Sequence, residues 1–172
     1  MNTHPDPRTE SERRVICDVD AVGYHVTSIA ERGDAPGWAY TVGLHHNHAQ
    51  PEIVIVGLPI GTMESILQSL ASDVAHGARY DAGTTSAGVL EDLSCAFRDV
   101  AKTWHDPFLH DATWFYGGTG FDAVQCLWPD QNNRLPDDPR FGTELAPLQP
   151  LLEHATVEAA RGAKWIGAAD VV

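Results

Sequence analysis

The chain has 172 residues, the length of a single domain, and its 43% hydrophobic share, with five Trp, five Phe and four Tyr, is enough for a packed core; global disorder is excluded. Eleven Lys and Arg against 24 Asp and Glu leave a formal charge of −13. That is the wrong sign for a surface whose affinity would come from phosphate contacts, so neither nucleic acid nor an anionic membrane surface is an expected partner.

Residues 1–10 are polar, without the apolar run a signal peptide needs, and are expected to form a disordered tail ahead of one domain over 11–172. The apolar stretch Ile53 to Ile60, interrupted by Pro59, falls far short of the roughly twenty residues that span a bilayer. Cys17, Cys95 and Cys126 are odd in number and form no C-x-x-C pair, which fits reduced core thiols and a cytoplasmic setting.

In chain order, Ser11 to Val19 predicts a short helix stopped at Gly23, and Tyr24 to Ile29 alternates as a strand does. The turn composition of Arg32 to Gly37 leads to an antiparallel partner over Trp38 to Val42. The β-branched run Ile53 to Val56 reads as a central strand covered on both faces. Met63, Ile66, Leu67, Leu70 and Val74 share one helical face, with Thr62 as the expected N-cap and Gly77 beyond the C-cap. Tyr80 to Val89 reads as a loop, Leu93 to Phe97 as a strand, and Asp106-Pro107 as the cap of a helix running to Tyr116 and ended by Gly117-Gly118. A last strand, Ala123 to Trp128, precedes a Pro-rich stretch, 131–150, expected to wrap irregularly, and a helix over Leu151 to Ala160. The mixture lacks a strict βαβ rhythm and predicts an α+β domain with a mainly antiparallel sheet and two to four helices packed against it.

Gly37-Trp-Ala-Tyr-Thr-Val-Gly-Leu44 followed by Pro51-Glu-Ile-Val-Ile-Val-Gly-Leu58, and later Tyr116-Gly117 with Ala123-Val-Gln-Cys-Leu-Trp-Pro-Asp130, resemble the motifs of the bacterial family known as domain of unknown function 4262. The similar stretches cover about Gly23 to Pro136. The chain departs from that pattern at Gln50, where the family often has His, and at Pro136-Asp137, where it has Pro-Trp. The resemblance implies domain identity and carries no activity.

Within these motifs Trp38, Tyr40, Glu52, Gln125, Trp128 and Asp130 are the candidate ligand-binding residues. Gln125 shares a strand face with Ala123 and Leu127, so its amide must find a partner or a ligand. Glu52 heads the most apolar strand, where desolvation would raise its pKa and suit it to general acid or base work, unless it caps a loop through backbone amides. The aromatic rings are core packing first and a stacking platform second.

His45, His46 and His48 raise a divalent-metal alternative: were the strand to continue past Leu44, His46 and His48 would share a face, with His105, His110 or Glu52 as a third ligand. The simpler reading is a solvated loop tip. The His105-Asp106 and His110-Asp111 pairs suggest helix capping more than a metal phosphohydrolase, and Gly117 to Gly120 leaves a helix instead of entering one, which suits a C-cap more than a phosphate loop. The leading expectation is a small polar molecule bound between the 38–44 and 123–128 strands, with hydrolysis or another proton transfer served by Glu52 or a histidine. An acidic interaction module of the inhibitor or immunity type, meeting a basic protein, is the alternative.

Overall fold

The structure is a computed structural model, and it describes residues 4–156. Six strands form one sheet in the order β1-β2-β3-β6-β5-β4: β1 His25–Ile29, β2 Trp38–Val42, β3 Glu52–Val56, β4 Thr85–Leu90, β5 Leu93–Asp99 and β6 Ala123–Leu127. Every pairing is antiparallel except β3 with β6, which is parallel with Glu52 opposite Ala123 and Val54 opposite Gln125. The α+β expectation holds, and β3 is interior as its β-branched run implied.

The three middle strands β2, β3 and β6 are buried along their whole length because both faces are covered. Alternation divides their side chains. Trp38, Tyr40, Val42, Val54, Val56 and Ala123 pack under α1 (Glu10–Val22), α4 (His105–Phe108) and α5 (His110–Tyr116). Ala39, Ile53, Ile55, Val124 and Cys126 pack under α3 (Ile60–Ala75), whose Met63, Ile66, Leu67, Leu70, Ala71 and Val74 form its buried stripe. The residual helix, α2 (Leu44–His48), occupies the connection from β2 to β3.

Several boundaries differ from the sequence expectation for physical reasons. α1 begins at Glu10 because Thr9 and Glu12 form a reciprocal capping box, a T-x-x-E signal that places the start just ahead of Ser11. α3 begins at Ile60 after Pro59, so Thr62 lies inside the helix and caps nothing. Asp106 is likewise within α4, preceded by a 3₁₀ turn over Lys102–Trp104, and the expected single helix breaks at Leu109, which leaves helical geometry at ψ 46. Thr85–Leu90 is an edge strand instead of a loop: Leu90 pairs Leu93 across a tight Glu91-Asp92 turn with Asp92 left-handed at φ 59, so pairing supplies what the Gly/Ser/Thr composition does not. Leu151 to Thr156 form turns and bends in place of the expected helix, and the rest of that expectation lies outside the described residues.

Residues 131–152 form a strap that returns across the sheet. It crosses β3's exit at Gly57, where φ is +92 and a β-carbon would stand 2.2 Å from the Leu148 carbonyl oxygen, so only glycine permits the crossing. The Gln149 amide then binds Trp128 as a neighbouring strand would, accepting from its backbone N–H at 2.8 Å and donating to its carbonyl at 2.9 Å.

Candidate functional site

Glu52 opens β3 fully buried, and its carboxylate is held from three directions. The antiparallel register of β2 with β3 ends at Tyr40 opposite Val54. Beyond it the Thr41 hydroxyl takes over, accepting from the Ile53 amide at 2.9 Å and donating to Glu52 Oε2 at 2.6 Å. Oε1 accepts from the backbone of Gly43 at 2.8 Å and of His45 at 3.1 Å, the amides at the start of α2. The carboxylate therefore caps that helix from a distant strand, where a negative charge is favourable. Gly43 reaches this position at φ +106, with Val19 so close that a β-carbon would stand 2.9 Å from its Cγ2.

The fourth donor is Tyr116, at the end of α5, whose hydroxyl lies 2.5 Å from Glu52 Oε1 and accepts in turn from the His46 amide at 3.2 Å. Burial pushes Glu52 up to about 6; the hydrogen bonds from Thr41, Tyr116, His45 and Gly43 oppose that shift and only partly offset it. Burial, and then the charge of Glu52, push the Tyr116 phenol far above its ordinary value. The proton in this pair thus rests on the phenol, and the carboxylate is its acceptor. Glu52 is sealed, whereas Tyr116 is half-buried and the His45 ring meets it edge-on at 5.6 Å.

Behind this pair the Phe121 ring lies 4.8 Å from Tyr116 on one side and 4.5 Å from His105 on the other. His105 is wholly buried, and neither ring nitrogen has a hydrogen-bond partner. Desolvation, with Lys102 nearby, pulls it down to about 4; the Val100 carbonyl and Asp122 act the other way without reversing the shift. The Val100 carbonyl is near enough to favour a charged ring, but it makes no bond of ordinary geometry to it. His105 is a neutral imidazole at pH 7.

The other motif residues take their polar partners from the chain itself. Gln125 is on the same side of the sheet as Glu52, but its amide donates to the Pro150 carbonyl at 2.7 Å and accepts from the Leu152 amide at 3.0 Å, fastening the strap. β3 runs between the 38–44 and 123–128 strands and separates them. The indole N–H groups of Trp38 and Trp128 donate to the carbonyls of Phe108 and Val56, at 2.9 and 2.7 Å. The Tyr40 hydroxyl accepts from the Asp111 amide, and Asp130 accepts from the amides of Asn132 and Arg134 to shape the turn after β6. Gln125→Leu is expected to lower stability by about 2–3 kcal/mol, because it strands a buried carbonyl and a buried amide. Faster proteolysis within 131–152, with the sheet intact by circular dichroism, checks this; an unaltered strap contradicts it.

His46 and His48 are on α2, a helix and not an extension of β2, so two positions of separation turn them to different sides. Among the described residues no group of three or more His, Cys, Asp or Glu side chains gathers as a metal site would require. Cys95 and Cys126 are buried free thiols on neighbouring strands, and Cys17 is an exposed one. Thr41 and Gly43 carry no sequence signal beyond strand and turn composition, while Tyr116 lies inside a family motif and His105 is among the possible metal ligands that the sequence offers.

The family described as "Domain of unknown function (DUF4262)" matches residues 18–142. The chain belongs to this family. Glu52, Tyr116 and His105 all fall inside the matched DUF4262 region, as do all six motif residues. No curated protein matches the chain, and no solved structure does. No helix among the described residues is long and apolar enough to cross a membrane.

Proposed function

We propose that this DUF4262 domain binds a small polar molecule at the seam between α2 and α5, and that Glu52 accepts a proton from it through Tyr116. The observation that supports the reading is the sealed carboxylate, held near 6, directly behind a half-exposed phenol at 2.5 Å. A ligand hydroxyl, amine or water that donates to the phenol oxygen would release its proton as Tyr116 passes its own to Glu52. A base with a pKa near the working pH is the one best placed to do this. In this reading His45 and His46 line the seam, while Trp38, Tyr40, Gln125, Trp128 and Asp130 hold the strands and strap that keep it in shape. The chemistry is proton transfer, and hydrolysis is its simplest form, with water as the donor.

Tyr116→Phe keeps the ring and removes the relay. Titration of the labelled protein with a panel of neutral hydroxyl, amide and amine fragments should shift the backbone signals of Gly43 to His48 and of Tyr116 to Gly120. In Tyr116→Phe the affinity should fall about tenfold, the worth of one hydrogen bond. Fragment shifts confined to other parts of the surface, or equal affinity in the variant, would overturn the reading.

A further inference from the structure

The matched family region begins at residue 18, yet the chain ahead of it, with the rest of α1, packs beside the Glu52–Tyr116 pair. The His4 ring lies 5.0 Å from Phe115 on α5 and 5.9 Å from His46 on α2, straddling the seam between these helices. Its Nε2 is 3.0 Å from Asp20, which closes the tail back onto α1. α1 itself buries only Val15 and Val19, and Val19 presses on Gly43, whose amide donates to Glu52. A second pair, His25 with Asp18 at 2.7 Å, ties the helix to β1. The helix ends at Gly23, left-handed at φ 93, a residue that can change its backbone angles cheaply.

We propose that residues 4–22 form a hinged cover over the α2–α5 seam, closed by His4 on His46 and Phe115, anchored by Val15 and Val19, and pivoting at Gly23. The energetics favour such a motion. A thirteen-residue helix held by two buried valines, two His–Asp pairs whose aspartates are exposed, and one bond from the Asn47 side-chain amide to the Gly23 carbonyl at 2.9 Å belongs to the lower-stability end of a fold, while β3 and β6, buried along their length, belong to the high end. The cover rests on the reading of the seam as the binding site for its purpose, but not for its existence: opening and closing can be measured without any ligand.

The test uses the full chain with two separate changes, His4→Ala, which removes the ring over the seam, and Val15→Ala, which loosens the anchor and leaves every polar contact in place. Amide exchange is followed by mass spectrometry, and His25, whose side chain is only 12% exposed against Asp18 of α1, is probed by carbethoxylation with diethyl pyrocarbonate. Both variants should speed exchange over 10–22 by roughly fivefold or more, and modification of His25 by a similar factor, while exchange in β3 and β6 stays as in the parent. Unchanged exchange over 10–22 in both variants would overturn the cover, as would acceleration shared equally by β3 and β6, or a His25 rate that does not follow the opening of α1. If the cover opens as expected and fragments still fail to bind the seam, the functional reading fails and the cover stands.

Discussion

Glu52→Leu is expected to destabilise the fold by about 4 kcal/mol at pH 7, the largest loss expected from any single polar side chain among the described residues. The change strands the buried amides of Gly43 and His45 and removes the acceptor of the Thr41 and Tyr116 hydroxyls, and each unsatisfied buried group costs about 1–3 kcal/mol, with less than full additivity. Against this stands the burial penalty. A pKa raised from 4.5 to about 6 means that ionising Glu52 in the fold costs about 2 kcal/mol more than in the open chain. That cost is already net of the four hydrogen bonds, so the loss in Glu52→Leu comes from the donors left without an acceptor and not from the charge, which is itself unfavourable where it is buried. Urea unfolding checks the number; a loss under about 1 kcal/mol would show that water replaces the carboxylate freely.

His105→Phe is expected to do the opposite. Phe retains the contact with Phe121 and removes two nitrogens that nothing satisfies, so stability at pH 7 should be unchanged or higher by about 1 kcal/mol. The gain should grow in acid. A histidine held at about 4 in the fold, against 6.5 when unfolded, contributes stability that is complete above pH 6.5 and is lost as pH falls through 4, amounting to about 3 kcal/mol at pH 4. Glu52 has the reverse sign: its contribution is complete below pH 4.5 and is lost as pH rises through 6. In the parent protein the two trends oppose each other between pH 4.5 and 6. His105→Phe should therefore unmask a stability that rises on acidification, and Glu52→Gln one that falls more steeply than the parent's. Parallel profiles for parent and both variants would contradict both assignments.

The sheet was legible wherever the pattern was local. Ile53 to Val56 announces a doubly covered strand, and Gly-Asp-Ala-Pro-Gly announces the turn between β1 and β2. The edge strand β4 was not legible, because its partner β5 and the left-handed Asp92 provide what its own side chains lack. Glu52 could be picked out as a carboxylate heading an apolar strand, and in the structure it is buried and accepts from the backbone amides of Gly43 and His45. Its partner could not be picked out: Tyr116 is 64 positions away and reaches Glu52 only because α5 folds over the start of β3. Gln125 shows the same limit from the other side. Alternation places it correctly among apolar neighbours, but the groups it satisfies, at Pro150 and Leu152, belong to a strap that carries no periodic signal. A strand continuing past Leu44 would put His46 and His48 on one face, but β2 ends at Val42 and Gly43, at φ +106, starts a helix instead.

The pairing of a sealed Glu52 with Tyr116 is tested most directly by titrating the Glu52 side-chain carboxyl, followed by carbon NMR, in the parent and in Tyr116→Phe. The parent midpoint should lie near pH 6, and the variant's should lie higher, since the phenol hydrogen bond favours the ionised form. A midpoint in the ordinary carboxylate range of about 4.3, unmoved by loss of the Tyr116 hydroxyl, would contradict the pairing.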